Sequence, residues 1–288
     1  MVGIKLMVDS SCDIPLKEIE KRGIYLIPVH IHFNGEHYLD LVELEPHSFM
    51  GMLITSKSNP TTKPPTAEEI YDKFVKARDE GTEILYVPLI SKKLSKTYEN
   101  AISAKQTFDS VYGDMEIHVR DTSFTTIAYG SIVYSLQDMI EYGTTVKYLD
   151  FQLKNLVKKT QVGIGLNTLE YLKRGGRVGA AQAFFGKILN YKPLISIKKG
   201  EVEAIGKARG MDKALKEIVK FHEQFFDEEE QLRAVYGYST SVSLANELKD
   251  LMEEKFNIKK THFTSVGPAI GTHAGPKAVL VSLQPLLK

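Results

Sequence analysis

Asp9-Ser10-Ser11-Cys12-Asp13 gathers carboxylate, hydroxyl and thiol groups just after an apolar run that reads as a first strand. Open α/β sheets place their ligands at the carboxyl ends of strands, so these residues stand where chemistry is expected. Cys12 would act as a nucleophile only with a histidine base and an orienting third group, and is otherwise a small buried hydrophobe. A metal-assisted phosphatase needs two aspartates separated by one residue, whereas Asp9 and Asp13 are four positions apart. The plainer reading has Asp13 capping the helix after Pro15 while Asp9 and the serines satisfy loop amides. A hydrolase or phosphotransferase using Asp9, Ser11 and Cys12 is the alternative to the ligand-binding reading below.

Three more segments carry polar groups to loops. In Pro60-Thr61-Thr62-Lys63-Pro64-Pro65-Thr66, prolines stiffen the backbone while Thr61 and Thr62 present hydroxyls ahead of a helix, an arrangement suited to an anionic group or to a plain helix entry. Leu94-Ser95-Lys96-Thr97-Tyr98 follows a predicted strand, so Ser95 and Thr97 lie on the same rim as Thr62. Ser95 could equally cap the next helix. Near the end, Gly271-Thr272-His273-Ala274-Gly275-Pro276 brings a histidine to a glycine-rich loop where backbone approaches a ligand closely.

From Tyr171 to Gly200 there are seven Lys and Arg residues and no Asp or Glu, in a chain whose totals are 37 and 36. This segregated charge suggests a docking surface for an acidic partner, a phosphate-binding rim or a solvated face. Gly179 and Gly186-Lys187 superficially resemble a phosphate loop, but the spacing is wrong and Ile188 has no hydroxyl for magnesium.

Composition narrows the function. The near-neutral balance supplies no global field toward nucleic acid. The single Cys12 allows no intramolecular disulfide, and no Cys/His cluster has zinc spacing, so a reducing compartment and no metal are expected. Lys5 interrupts the first apolar run, no cleavage site follows, and no stretch approaches a bilayer span. The expectation is a soluble, cytoplasmic protein.

These loops must be positioned by elements that alternate from the start. Strands are predicted at residues 4–8, 24–33 (closed by Asn34-Gly35), 84–88 and 115–119. Helices are predicted over 15–22, 67–80 (with a Thr66/Glu69 capping box), 97–108, 125–142 and 145–160. Beyond residue 160 come a strand at 162–166, a hairpin of 193–199 with 202–207, helices at 211–226 and 242–256, and strands at 234–238, 262–266 and 278–283. The fold class is α/β, with an N-terminal domain over 1–160 built on a mostly parallel sheet flanked by helices and a C-terminal α/β domain over 161–288 with a mixed sheet.

In order, these segments resemble the DegV family. Asp9 to Asp13 opens the match; Thr61-Thr62-Lys63-Pro64-Pro65 stands for its Thr-Ser-Gln-Pro-Ser motif, and Leu94 to Tyr98 for Leu-Ser-Gly-Thr-Tyr. Tyr171-Leu172-Lys173-Arg174-Gly175-Gly176-Arg177 is similar to its most specific block, and Gly271 to Pro276 to Gly-x-His-x-Gly-Pro. Lys63, Pro65 and Lys96 depart from the family residues. The resemblance implies a non-catalytic carrier that holds one long-chain fatty acid between two domains, with no further cofactor. It implies Thr62, Ser95 and His273 around the carboxylate, with Thr61, Thr97 and Gly271 as additional contacts. It also implies an acyl-carrying role beside a fatty acid kinase, Arg174 and Arg177 lying on the docking surface.

Overall fold

The computed structural model describes residues 3–179, 181–185 and 190–287. Its first seven strands are β1 (Ile4–Asp9), β2 (Tyr25–Ile27), β3 (His30–Phe33), β4 (Glu36–Leu39), β5 (Thr61–Lys63), β6 (Ile84–Leu89) and β7 (Glu116–Asp121). Six more follow: β8 (Gln161–Gly165), β9 (Lys192–Lys198), β10 (Glu201–Ala208), β11 (Leu232–Tyr238), β12 (Ile258–Ser265) and β13 (Val279–Pro285).

They form three sheets: a parallel one in the order β2-β1-β6-β7, a small antiparallel one, β4-β3-β5, and a mixed one, β10-β9-β8-β13-β11-β12. The expected α/β class with one parallel and one mixed sheet is what the chain adopts. The central strands of the parallel sheet are almost continuously apolar because helices cover both faces. In the mixed sheet the pattern alternates: Val162, Ile164, Ile195 and Leu280 join one core cluster, while Leu194, Val279 and Val281 join another.

The run 24–33 is two strands rather than one. Pro28, which cannot donate to a ladder, separates β2 in the parallel sheet from β3 in the antiparallel one. The segment expected as a stiff loop contains β5, which pairs with β3 so that Thr62 lies opposite Ile31. A helix, Pro46–Thr55, was not anticipated. Its signal was present in Pro46 at the first turn and in Phe49, Met50 and Leu53 at helical spacing. The Thr66/Glu69 capping box forms as predicted.

The helix Thr126–Glu141 holds the two larger sheets together. Every residue from Thr126 to Gln137 is buried, because the helix is sandwiched between β1 on one side and β11 and β13 on the other. Its sequence is apolar or small all round, as such a position requires. Gly130 is where it touches the turn after β1: a Cβ there would lie 2.5 Å from the Cys12 carbonyl oxygen. Gly130→Ala is therefore expected to destabilise the protein by about 1–3 kcal/mol, read as a lower midpoint in urea unfolding with an unchanged slope.

Candidate functional site

A pocket, part of it open to solvent, lies between the loops that follow the parallel strands and one face of the mixed sheet. The polar side comes from Ser11 after β1, Thr62 on β5 of the small antiparallel sheet, Ser95 after β6, and Thr125 and Thr126 at the start of the buried helix. The mixed sheet supplies an apolar wall of Ile164, Ile195, Ile197, Val202 and Leu280. Such a pocket, largely apolar with a few convergent polar groups, suits an amphiphile with one polar end.

His273 reaches the polar end from a short helix, Pro268–Ala274, where a loop was expected. Pro268 occupies the first turn, where its missing N–H costs nothing, and Gly271 permits close packing: a Cβ there would meet Phe49 and Met50. Gly271 therefore serves helix packing and does not line the cavity. Imidazole Nε2 of His273 lies 3.1 Å from Thr62 Oγ1, and Nδ1 is buried without a hydrogen-bond partner. Burial, reinforced by the nearby Arg177 charge, lowers the imidazole to about 4, so it is neutral at pH 7.

Ser95 Oγ lies 2.9 Å from Thr97 Oγ1 and accepts from Thr97 N, so the buried Thr97 orients Ser95 without lining the cavity. Thr61 is exposed. Arg177 lines the cavity and donates to the carbonyls of Leu94 and Gly175, whereas Arg174 is exposed and pairs with Glu170 and Asn59. Of the three unusual residues, Lys63 lines the cavity, Pro65 accepts from Asn100 Nδ2 through its carbonyl at 2.7 Å, and Lys96 caps a helix without a side-chain bond. Gly186, Lys187 and Ile188 lie outside the described residues.

The Asp9 to Asp13 loop is structural scaffolding for this site. Asp9 Oδ1 accepts from the Ser11 amide and hydroxyl, and Oδ2 from Ile90 N at 2.9 Å. Asp13 does not cap the helix Leu16–Lys21, which starts at Pro15 with no side-chain cap. Its Oδ2 instead accepts from Thr126 Oγ1 at 2.6 Å and its Oδ1 from Gly267 N at 2.9 Å. Asp40, on which sequence reasoning was silent, accepts from Ala269 N at 3.0 Å. Asp13 and Asp40 thus hold the first amides of the helix that carries His273. Burial raises all three carboxyls, Asp40 to about 7 and Asp13 well above its ordinary value, and pushes the Cys12 thiol up. Asp13, Leu41 and Thr126 all have positive φ, uncommon for Asp and Leu and a strained conformation for the β-branched Thr126.

A family model for uncharacterised DegV proteins matches residues 3–286. The chain belongs to the DegV family. A DegV domain-containing protein of Clostridium perfringens is 30% identical over 281 residues, covering 96% of each chain. A Thermotoga maritima protein described as fatty acid-binding is 28% identical, again over 96% of each. The solved structure of a fatty-acid-binding DegV protein from Thermus thermophilus superposes with a TM-score of 0.91 at 29% identity, covering 99% of this chain and 100% of that one. Each of the five DegV-like sequence blocks sends a residue to the cavity: Ser11, Thr62, Ser95, Arg177 and His273. Among the described residues no helix is long and apolar enough to cross a membrane.

The buried carboxyls give the fold a pH signature. Asp40 has a folded pKa of about 7 against 3.8 in the unfolded chain, so unfolding releases its proton and stability falls as pH rises through that window. Asp40→Asn mimics the protonated acid. The stability of Asp40→Asn relative to the parent should therefore rise between pH 4 and pH 7, by at most about 4 kcal/mol, and level off above; urea unfolding at several pH values measures it.

Proposed function

We propose that this chain binds one long-chain fatty acid between an N-terminal unit, residues 1–160, and a C-terminal unit, residues 161–288. Thr62, Ser95 and His273 take the carboxylate and the apolar wall takes the tail. The observation that carries the reading is that Thr62 and His273, 3.1 Å apart, line with Ser95 a cavity whose mixed-sheet wall is Ile, Leu and Val. A carboxylate buried without partners is prohibitively costly, whereas two or three hydroxyl or imidazole donors satisfy its oxygens. Neutral His273 can donate to it from one ring nitrogen, and Arg177 on the wall supplies an opposite charge. Each buried methylene contributes about 0.8 kcal/mol before ordering costs, so the tail dominates affinity while the head group sets orientation. The relatives described as fatty-acid-binding proteins support the same ligand class.

A carrier role without catalysis is supported by the first loop. Cys12 is buried, with its thiol held protonated, and the Asp9 oxygens are fully engaged by neighbouring donors. These facts weigh against a hydrolase or phosphotransferase built there. The exposed Arg174 leaves the carrier a charged contact for a fatty acid kinase, to which it would present the bound acyl group.

Mass spectrometry of the denatured recombinant protein should release a fatty acid in about equal amount to the chain. Combining Thr62→Val with Ser95→Ala should weaken binding at least about tenfold, since each lost donor to a charged group costs on the order of 1.5–3 kcal/mol; unchanged binding would refute the head-group assignment. Arg174→Glu should abolish coupling to a kinase while the lipid stays bound, separating docking from carriage.

A further inference from the structure

We propose that the N-terminus of the buried helix Thr126–Glu141, with the Thr125 hydroxyl that precedes it, is a further part of the head-group site and selects an ionised carboxylate over a neutral polar end. The inference rests on the fatty-acid reading above and adds a residue to it. Five hydroxyl-bearing side chains line the cavity: Ser11, Thr62, Ser95, Thr125 and Thr126. Four have partners within the protein. Ser11 donates to Asp9 Oδ1 and Thr126 to Asp13 Oδ2, while Ser95 pairs with Thr97 and Thr62 with His273. Thr125 is only 9% exposed, and its Oγ1 is buried with no hydrogen-bond partner.

A threonine in this position ordinarily spends its oxygen on the helix. Thr66 and Thr145, which precede the helices Ala67–Asp79 and Val146–Lys159, each accept from an amide in the first turn. Thr125 has the same extended backbone, with φ −145° and ψ 176°, yet makes no such bond. The residue after it takes φ 52°, so the chain enters the helix out of line with the Thr125 hydroxyl. The first amides of a helix have no intrahelical partner and carry the positive end of its dipole. Here the Thr125 side chain leaves them uncapped, and Thr125 and Thr126 both line the cavity. An unpartnered hydroxyl beside such an end suits an anionic oxygen.

Two backbone hydrogen bonds tie this end of the helix to the rest of the head-group site. Ser91 N donates to the carbonyl of Phe124, the residue before Thr125, at 2.8 Å, and Ser95 N donates to the carbonyl of Ser91 at 3.2 Å. Thr125 is thereby held beside the turn that carries Ser95. A carboxylate offers about four lone-pair sites to donors, and Thr62, Ser95 and His273 leave one of them over. Thr125 supplies the remaining donor, and the helix dipole favours the negative charge. Without a ligand the hydroxyl stays buried and unpaired, a destabilising arrangement that the carboxylate relieves.

Transfer of radiolabelled palmitate, and of hexadecanol as the neutral alcohol of equal chain length, from phosphatidylcholine vesicles to the delipidated full chain measures both affinities. Thr125→Val keeps the branched side chain and the extended backbone and removes only the hydroxyl. It should weaken palmitate binding at least about tenfold, weaken hexadecanol binding less, and so narrow the preference for the acid. Thr125→Ser, which keeps the hydroxyl, should bind palmitate close to the parent affinity. In the lipid-free protein Thr125→Val should leave the urea midpoint unchanged or raise it, because a methyl group replaces an unpartnered buried hydroxyl. Unchanged palmitate affinity in Thr125→Val, an equal loss for both ligands, or a lowered midpoint would overturn the proposal while leaving the fatty-acid reading intact. A parent protein that takes up no palmitate would overturn both.

Discussion

The burial of carboxylates with neutral partners is the constraint on which the site depends. Asp13 receives Thr126 Oγ1 from the central helix and Gly267 N from a segment more than 250 residues away, while its own carbonyl accepts from Thr264 Oγ1 at 2.5 Å. Asp40 receives Ala269 N. Among the described residues no cation pairs with these acids, so their oxygens are met chiefly by amides and hydroxyls held in place, and the first turn of the helix bearing His273 is fixed by that requirement. Breaking one bond would leave a buried polar group stranded, which is why the loop after β1 behaves as a joint rather than as a catalytic centre.

Around that joint the two sheet systems divide the labour. Parallel strands end in loops that gather polar side chains at one edge, because a parallel sheet sends every chain out at the same edge. The mixed sheet, alternating in side-chain direction, turns Ile164, Ile195, Ile197, Val202 and Leu280 toward the cavity and so provides an apolar wall. The helix Thr126–Glu141, buried from Thr126 to Gln137, fixes the distance between them. Its first residue, Thr126, lines the cavity and bonds Asp13, so the packing of the core and the shape of the polar end are set by the same residue.

The three-stranded sheet adds a different logic. Its inner face presents Ile31 and Thr62 and its outer face His30, His32 and His37, because neighbouring side chains on a strand point to opposite sides. Those histidines come together only when the Asn34-Gly35 turn folds β4 back on β3. Arg177 is a similar case. In the sequence it belongs to a basic run and reads as surface, yet its neighbour Gly176, at φ 69°, turns the chain so that the guanidinium bends back toward the Leu94 carbonyl and the cavity.

Local sequence determined the alternating elements, the Thr66/Glu69 cap, the hairpin of β9 and β10 and the polar blocks containing Thr62, Ser95 and His273, since hydrophobic period, turn residues and caps act over a few positions. It could not separate β2 from β3 except through Pro28, nor show that Thr61–Lys63 is a strand, because a three-residue strand exists only by pairing with β3. Tertiary structure alone decided that Asp13 serves a distant helix instead of capping its own, that Asp40 belongs to the same network, and that Gly271 packs against Phe49 and Met50. Each of those outcomes depends on which buried group is left needing a partner, and that is known only once the whole chain has closed around it.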